Sequence, residues 1–369
     1  MNLNNLINPS VNLLKSYTPG LSIDAVKKKY NVDSVTKLAS NENPFGSSVT
    51  LKQLQNEPID LERYPDTASE PLIESISRTY SLSENNILLG NGSDELLQML
   101  GQCFLNPNDD VLTVSPTFSI YKLVATISRA TYQELPLLNF QYDIQTLIDA
   151  ITPKTKLIFL ANPNNPTGTL LTQLDIEKIL NNLPNGLLVL DQAYAEFASD
   201  PSYGNGLPFI HEHKNVCILQ TFSKLYGLAG LRLGYALGHP ELIALLSKLK
   251  MPFNVNSLAL KAGTIALKNK EFVQKTLKNN EIEKVFLYNE FEKLKISYIK
   301  THANFILIHG EWDASSVAEN LLKQGVIIRP LNSFGLPHAI RVSIGTRAQN
   351  QKFINALIKC TDLKEPTYE

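Results

Sequence analysis

Between residues 86 and 237 short apolar runs alternate with helix-like stretches, and this alternation restricts the fold more than any other feature of the chain. The runs are ILL at 87–89, VLTV at 111–114, KLIFLA at 156–161, LLVL at 187–190 and VCILQ at 216–220. Segments apolar on both faces suit strands buried inside a parallel sheet, and helices between them build a doubly wound α/β layer. Further on, from residue 240 to about 295, the chain becomes rich in Lys and Glu, with helical spacing clearest at 269–294, which predicts a long, mostly exposed helix linking two lobes. A strand (NFILI), a helix (SSVAENLLKQ), two strands (VIIRP and IRVSI) and a last helix from Arg347 then predict a small α+β lobe. A length of 369 residues is enough for two lobes.

Charge and cysteine usage exclude several classes of function. With 34 basic against 35 acidic side chains the net charge is −1, so nothing draws the chain to nucleic acid or to an anionic membrane. Cys103, Cys217 and Cys360 are odd in number and far apart, which fits neither a disulfide framework nor a metal-binding pair and favours a reducing, cytoplasmic setting. The six histidines show no ligand spacing, so no metal is expected. No apolar run approaches the ~18 residues needed to span a bilayer, and no targeting segment is evident.

Ligands of open α/β sheets sit beyond the carboxyl ends of the strands, so the residues after each apolar run carry the chemistry. After ILL comes GNGSDE, in which Gly90 and Gly92 permit a tight turn and Ser93 opens a helix whose free NH groups suit a phosphate. Glu95 stands where a dinucleotide fingerprint needs its third glycine, so the segment taken alone reads equally well as a plain strand-to-helix turn. After KLIFLA comes NPNNPTG, a loop stiffened by Pro163 and Pro166 that offers the amides of Asn162, Asn164 and Asn165. LLVL ends at Asp191, followed by Gln192 and Tyr194; in isolation these read as well as a helix cap and a half-buried aromatic. VCILQ leads into Thr221, Ser223 and Lys224, with Arg232 among glycines eight residues later. One sheet edge therefore offers an amine, a carboxylate, a phenol, an amide and an anion cradle. Pyridoxal 5'-phosphate requires this set: a Lys for the Schiff base, an acid for the ring nitrogen, and donors for the ring oxygen and phosphate.

At this point the chain resembles the fold-type I pyridoxal-phosphate aminotransferases and is most similar to their histidinol-phosphate branch. The matching stretches are ASNENPFG at 39–46, RYPD at 63–66, GNGSDE at 90–95, PTFSIY at 116–121, NPNNPTG at 162–168, DQAY at 191–194, TFSKLYGLAGLRLGY at 221–235 and IRVSIGT at 340–346. The resemblance implies an α/β fold with a large, mostly parallel-sheet domain and a smaller α+β domain. It divides the chain into an N-terminal arm (1–40), a large cofactor-binding domain (41–255) and a linking helix with the small domain (256–369).

Position by position, the resemblance makes Lys224 the Schiff-base lysine and proton carrier, Asp191 the partner of the pyridine nitrogen, and Asn165 and Tyr194 the donors to the ring oxygen. It assigns the phosphate to Ser93, Asp94 through its backbone, Thr221, Ser223 and Arg232. Phe118 takes the place of a tyrosine often stacked over the ring, which keeps the stack and loses a polar contact. Gln192 replaces a usual Glu with little effect expected, because strand alternation aims it away from Asp191. Tyr64 resembles a residue that reaches the phosphate of the neighbouring subunit, which implies a homodimer with shared sites.

For substrates, the branch implies L-histidinol phosphate and 2-oxoglutarate, converted to imidazole acetol phosphate and L-glutamate in histidine biosynthesis. Both substrates are anions, so arginine forks are expected in the pocket. Arg341 resembles the carboxylate reader, Arg329 a second anion-binding arginine and Tyr17 a residue folding over the substrate, while Arg347 reads as a helix start. An Arg inside an apolar strand calls for an anionic partner. An aromatic amino-acid aminotransferase or a phospho-amino-acid decarboxylase on the same scaffold are the alternatives.

Overall fold

A computed structural model describes residues 1, 3, 6–14, 20–55 and 60–360. After the short strand β1 (Thr36–Lys37), the chain builds a seven-stranded sheet from β2 (Ile87–Gly90), β3 (Asp110–Ser115), β4 (Thr131–Pro136), β5 (Thr155–Ala161), β6 (Leu187–Asp191), β7 (Val216–Thr221) and β8 (Gly234–Gly238). Their order across the sheet is β2-β8-β7-β6-β5-β3-β4. Only β8 runs against its neighbours, pairing antiparallel with both β2 and β7, so the sheet is mixed though mostly parallel.

Helices cover both faces because the central strands are apolar on both. Leu157 and Phe159 of β5 and Leu187 and Val189 of β6 join the helices Ser93–Phe104 and Ile120–Ile127 in one core. The alternate residues Ile158, Leu160, Leu188 and Leu190 join the helices Glu70–Tyr80 and Gln173–Asn181 in another. This alternation is the period-two pleat of a strand, and it fixes which face every residue at a strand end continues toward. The edge strand β4 is exposed or half-buried at every position.

The second lobe uses β9 (Ser297–Tyr298), β10 (Phe305–His309), β11 (Val326–Ile327), β12 (Arg329–Pro330) and β13 (Ala339–Ser343). Four of them form an antiparallel sheet in the order β12-β13-β10-β9, while β11 pairs parallel with β1, tying the arm to this lobe. Its core joins Leu287 and Phe291 of the long helix to Ile306, Ile308, Val342 and Phe353.

Residues 240–294 contain three helices where the sequence predicts one long one: Pro240–Ser247, Ser257–Lys268 and Lys270–Lys293. Asn269 alone separates the last two, ending one and capping the next by accepting the Phe272 amide on its side chain. The helix Ser257–Lys268 packs Ala259, Ala262 and Ala266 into the core of the large sheet. Lys270–Lys293 is the predicted linking helix, with Thr276, Asn280, Glu283, Lys284, Leu287 and Phe291 buried along one face.

Candidate active site

The lobes meet at the carboxyl ends of β5, β6 and β7, and most of the chemistry-bearing residues gather there. Asp191 is the last residue of β6 and is 6% exposed. By strand parity it continues the Leu187 and Val189 face, where the helix Ile120–Ile127 packs. Its carboxylate accepts the Tyr121 hydroxyl at 2.9 Å and the Ala193 amide at 3.2 Å. Burial pushes its pKa up to about 6 against the opposing pull of those two hydrogen bonds; Asp94 adds to the rise and the Lys224 ammonium opposes it. Gln192 turns to the opposite face, as alternation requires, and donates to the Gly204 carbonyl.

Lys224 lies in the loop after β7, its Nζ 3.2 Å from the Ser40 carbonyl and 5.9 Å from the centre of the Tyr194 ring. Tyr194 is buried edge-on against Phe305 of the small lobe, and its hydroxyl accepts from Asn41 Nδ2 at 2.9 Å. The loop after β5 is held by its own amides. Asn162 donates to Gly204 O, and Asn164 donates to Pro116 O and Thr167 Oγ1 while accepting from Thr117. Asn165 is the member aimed at the other lobe, where its Oδ1 accepts from Arg341.

The anion cradle is built from backbone and hydroxyls. Ser93 opens the helix Ser93–Phe104, so its first-turn NH groups lack helical partners. Gly92 has φ +78°, and a Cβ there would lie 2.7 Å from Arg232 Nη2; one on Gly234 would lie 2.7 Å from Ser93 N. No larger residue fits at either position without displacing the cradle. Thr221 Oγ1 lies 3.0 Å from Ser223 Oγ and accepts the Ser223 amide at 3.1 Å. Arg232 meets the Asp94 carboxylate at 3.3 Å, and Glu95 turns away to the Asn91 amide and Asn254. The two acidic side chains beside Ser93 are thereby paired with donors.

Arg341 sits in β13, 7% exposed, with its guanidinium 5.2 Å over Phe305. Two of its nitrogens meet neutral oxygens, those of Asn165 and, at 2.9 Å, Ala39. Arg329 stands directly opposite Arg341 across β12 and β13, which places both guanidinium groups on one face of the small sheet. The Arg329 side chain has no hydrogen-bond or ion-pair partner among the described residues. Arg347 begins the helix Arg347–Cys360, as expected, and pairs with the buried Glu283 at 3.1 Å.

Phe118 packs edge-on to Tyr121, their centroids 5.7 Å apart. Tyr64 lies outside this constellation within the chain: it is 80% exposed and stacked on Phe253 at 4.4 Å. Tyr17 falls outside the described residues.

A sequence model of the family described as aminotransferase class I and II matches residues 33–357. The chain belongs to that family. This aminotransferase is 42% identical over 347 residues to the histidinol-phosphate aminotransferase of Moorella thermoacetica, covering 93% of this chain and 90% of the relative. It is 39% identical over 358 residues to histidinol-phosphate aminotransferase 2 of Haemophilus influenzae, covering 96% and 98%. The fold matches the crystal structure of histidinol-phosphate aminotransferase from Sinorhizobium meliloti in complex with pyridoxal-5'-phosphate, with a TM-score of 0.85, 24% identity, and coverage of 96% and 97%. The transaminase reading and the α/β architecture expected from the sequence both hold. Among the described residues, no helix is long and apolar enough to cross a membrane.

Sequence reasoning missed two residues that shape the site. Tyr121 and Asn41 both lie within the matching stretches, yet their partners, Asp191 and Tyr194, are 70 and 153 residues away along the chain. For Tyr121 the available signal is its place three residues after Phe118, on the first turn of the helix Ile120–Ile127.

Proposed function

We propose that this aminotransferase uses pyridoxal 5'-phosphate to transfer the amino group of L-histidinol phosphate to 2-oxoglutarate, giving imidazole acetol phosphate and L-glutamate. The observation that carries this reading is the meeting of Lys224, Asp191, Tyr194 and Asn165 at three adjacent strand ends, facing a pair of arginines on the small lobe. The donor set fits the cofactor. A carboxylate buried as deeply as Asp191 is costly unless a cation meets it, and the Gly92 and Gly234 cradle leaves backbone NH groups where a phosphate can approach.

When bound, the cofactor supplies an electron sink that lets the substrate carbon lose and regain a proton. The remaining steps belong to the chain. Lys224 would hold the cofactor covalently, and its amine would move the proton at the reacting carbon. Asp191 would hold the proton on the ring nitrogen. Asn165 and Tyr194 would donate to the ring oxygen, and Phe118 would supply an aromatic wall for the ring. Ser93, the Asp94 backbone, Thr221, Ser223 and Arg232 grip the phosphate.

Arg341 reads the carboxylate of 2-oxoglutarate and glutamate, exchanging the neutral oxygens of Asn165 and Ala39 for a charged fork. Arg329 adds a second cation, and Tyr17 closes over the substrate. Two arginines on one sheet face repel each other, and an anionic substrate relieves that repulsion.

In the same reading the chain divides into an arm (1–40), the cofactor domain (41–255), and the linking helix with the small domain (256–369). It acts as a cytoplasmic homodimer in which Tyr64 reaches the phosphate of the second copy. The exposed Tyr64 and Phe253 stack, with Leu61 and Met251 nearby in sequence and also exposed, supports such an interface.

Single-turnover absorbance traces with separate amine donors test the substrate assignment. Rapid loss of the bound cofactor's visible band with L-histidinol phosphate, and slow loss with L-phenylalanine, is expected. Equal rates would select an aromatic amino-acid aminotransferase, and release of carbon dioxide would select a decarboxylase.

A further inference from the structure

Tyr121 has no role in the proposed reaction, yet among the described residues its hydroxyl is one of two hydrogen-bond donors on the Asp191 carboxylate. The ring is wholly buried, stacked on Phe159 at 5.1 Å with Phe118 edge-on at 5.7 Å, so the phenol has one fixed direction. Burial and the adjacent carboxylate hold it far above the ordinary phenol range, which keeps it a neutral donor at any working pH. Four groups bear on Asp191 electrostatically or lie beside it: Lys224, Asp94, Tyr121 and Tyr142. Tyr142 spends its hydroxyl on the Ala161 carbonyl, so Tyr121 is the side chain that grips the carboxylate.

We propose that Tyr121 is a positioning residue: its phenol fixes the orientation of the Asp191 carboxylate and keeps the proton shared between Asp191 and the cofactor's ring nitrogen on the nitrogen. The proposal rests on the cofactor reading of Asp191. Its physical basis is that a carboxylate deprived of a donor becomes more basic and draws a shared proton to itself, which weakens the electron sink. Phe118 enters the same arrangement indirectly. It packs over the cofactor in the proposed reading and also walls the tyrosine that holds the aspartate.

Tyr121→Phe keeps the ring between Phe118 and Phe159 and removes only the hydroxyl. In holoenzyme reconstituted with pyridoxal phosphate isotope-labelled at the ring nitrogen, the wild-type resonance sits at the protonated position at neutral pH. In Tyr121→Phe it moves toward the unprotonated position, and kcat falls about tenfold while KM stays within about twofold. Tyr142→Phe leaves the resonance in place. A Tyr121→Phe resonance at the wild-type position overturns the proposal even if Tm or activity falls, because lost packing alone does not move the ring proton.

3-Fluorotyrosine at position 121 supplies a second route should the phenylalanine variant not fold. It keeps the shape and strengthens the donor, so the acid transition of the resonance, at which Asp191 itself takes up a proton, moves to lower pH. An unmoved transition overturns the proposal as well. Asp191→Asn separates this idea from the reading beneath it. If that variant keeps the wild-type resonance, Asp191 does not face the ring nitrogen and both fall; if it loses the protonated position and Tyr121→Phe does not, only the tyrosine proposal falls.

Discussion

Asp191 and Arg341 are both buried charges at the lobe junction, and they are held in opposite ways. The aspartate ends a strand buried along its whole length and is gripped from its own lobe, by Tyr121 and by the backbone two residues on. The arginine reaches out of the small lobe to an amide oxygen of the large lobe and a carbonyl of the arm, both neutral. One charge is held by donors of its own lobe, while the other meets neutral oxygens that, in the proposed reading, a substrate carboxylate replaces. In the proposed reading, the cofactor half of the site is thus a property of one lobe, and the substrate half depends on how the two lobes sit together.

Breaking the fixed half carries the largest effect. In the proposed reading Lys224→Ala removes both the covalent anchor and the proton carrier, and turnover is expected to fall on the order of 10⁴-fold or more, measured by glutamate formation with added cofactor. Arg341→Lys attacks the other half. It keeps the charge but loses the planar fork, so kcat/KM falls roughly 10- to 100-fold through a higher KM for 2-oxoglutarate, while the bound cofactor's spectrum is unchanged.

Cofactor-free protein sharpens the comparison through pH. The Asp191 pKa, raised by burial to about 6, lies above the ~4 of an unfolded aspartate, so the native state binds the extra proton between those values. Stability from this group is therefore highest below about pH 4 and falls as pH rises through about 6. Asp191→Asn is expected to stabilise the cofactor-free protein by about 1–3 kcal/mol at pH 7–8 and by little near pH 4, in denaturant titrations at both pH values.

The smallest effect comes from the seam between the halves. Gly168 has φ +74°, accepts the His302 amide on its carbonyl at 2.8 Å, and leaves no space for a Cβ against Thr301. Gly168→Ala should cost about 1–3 kcal/mol, read as a lower Tm, and should raise KM more than it lowers kcat because it shifts the small lobe that carries Arg341.

The same contrast explains what the sequence discloses. β2, β3, β5, β6 and β7 are legible because central strands of a covered sheet must be apolar on both faces. β4 is not, since an exposed edge strand carries Gln133 and Glu134 without penalty. β8 hides for another reason: GYALG is short and begins and ends in glycine, and its antiparallel course depends on pairing with β2 and β7. The three helices of residues 240–294 merge in the sequence because one asparagine serves as both stop and start.

Within the site, Asp191, Lys224 and Asn165 can be read because each follows an apolar run, which places it at a strand mouth whatever the rest of the chain does. Tyr121 and Asn41 owe their importance to contacts across 70 and 153 residues, and no local pattern encodes those. The oxygens that hold Arg341 are equally invisible, being supplied by the arm and by the loop after β5.

In the proposed reading the strand-end lysine carries the cofactor. Borohydride reduction of the cofactor-loaded protein, followed by digestion and peptide mass spectrometry, tests it most directly. One pyridoxyl adduct is expected, on the peptide containing Lys224 and absent from Lys224→Ala. An adduct on another lysine, or none at all, would contradict it.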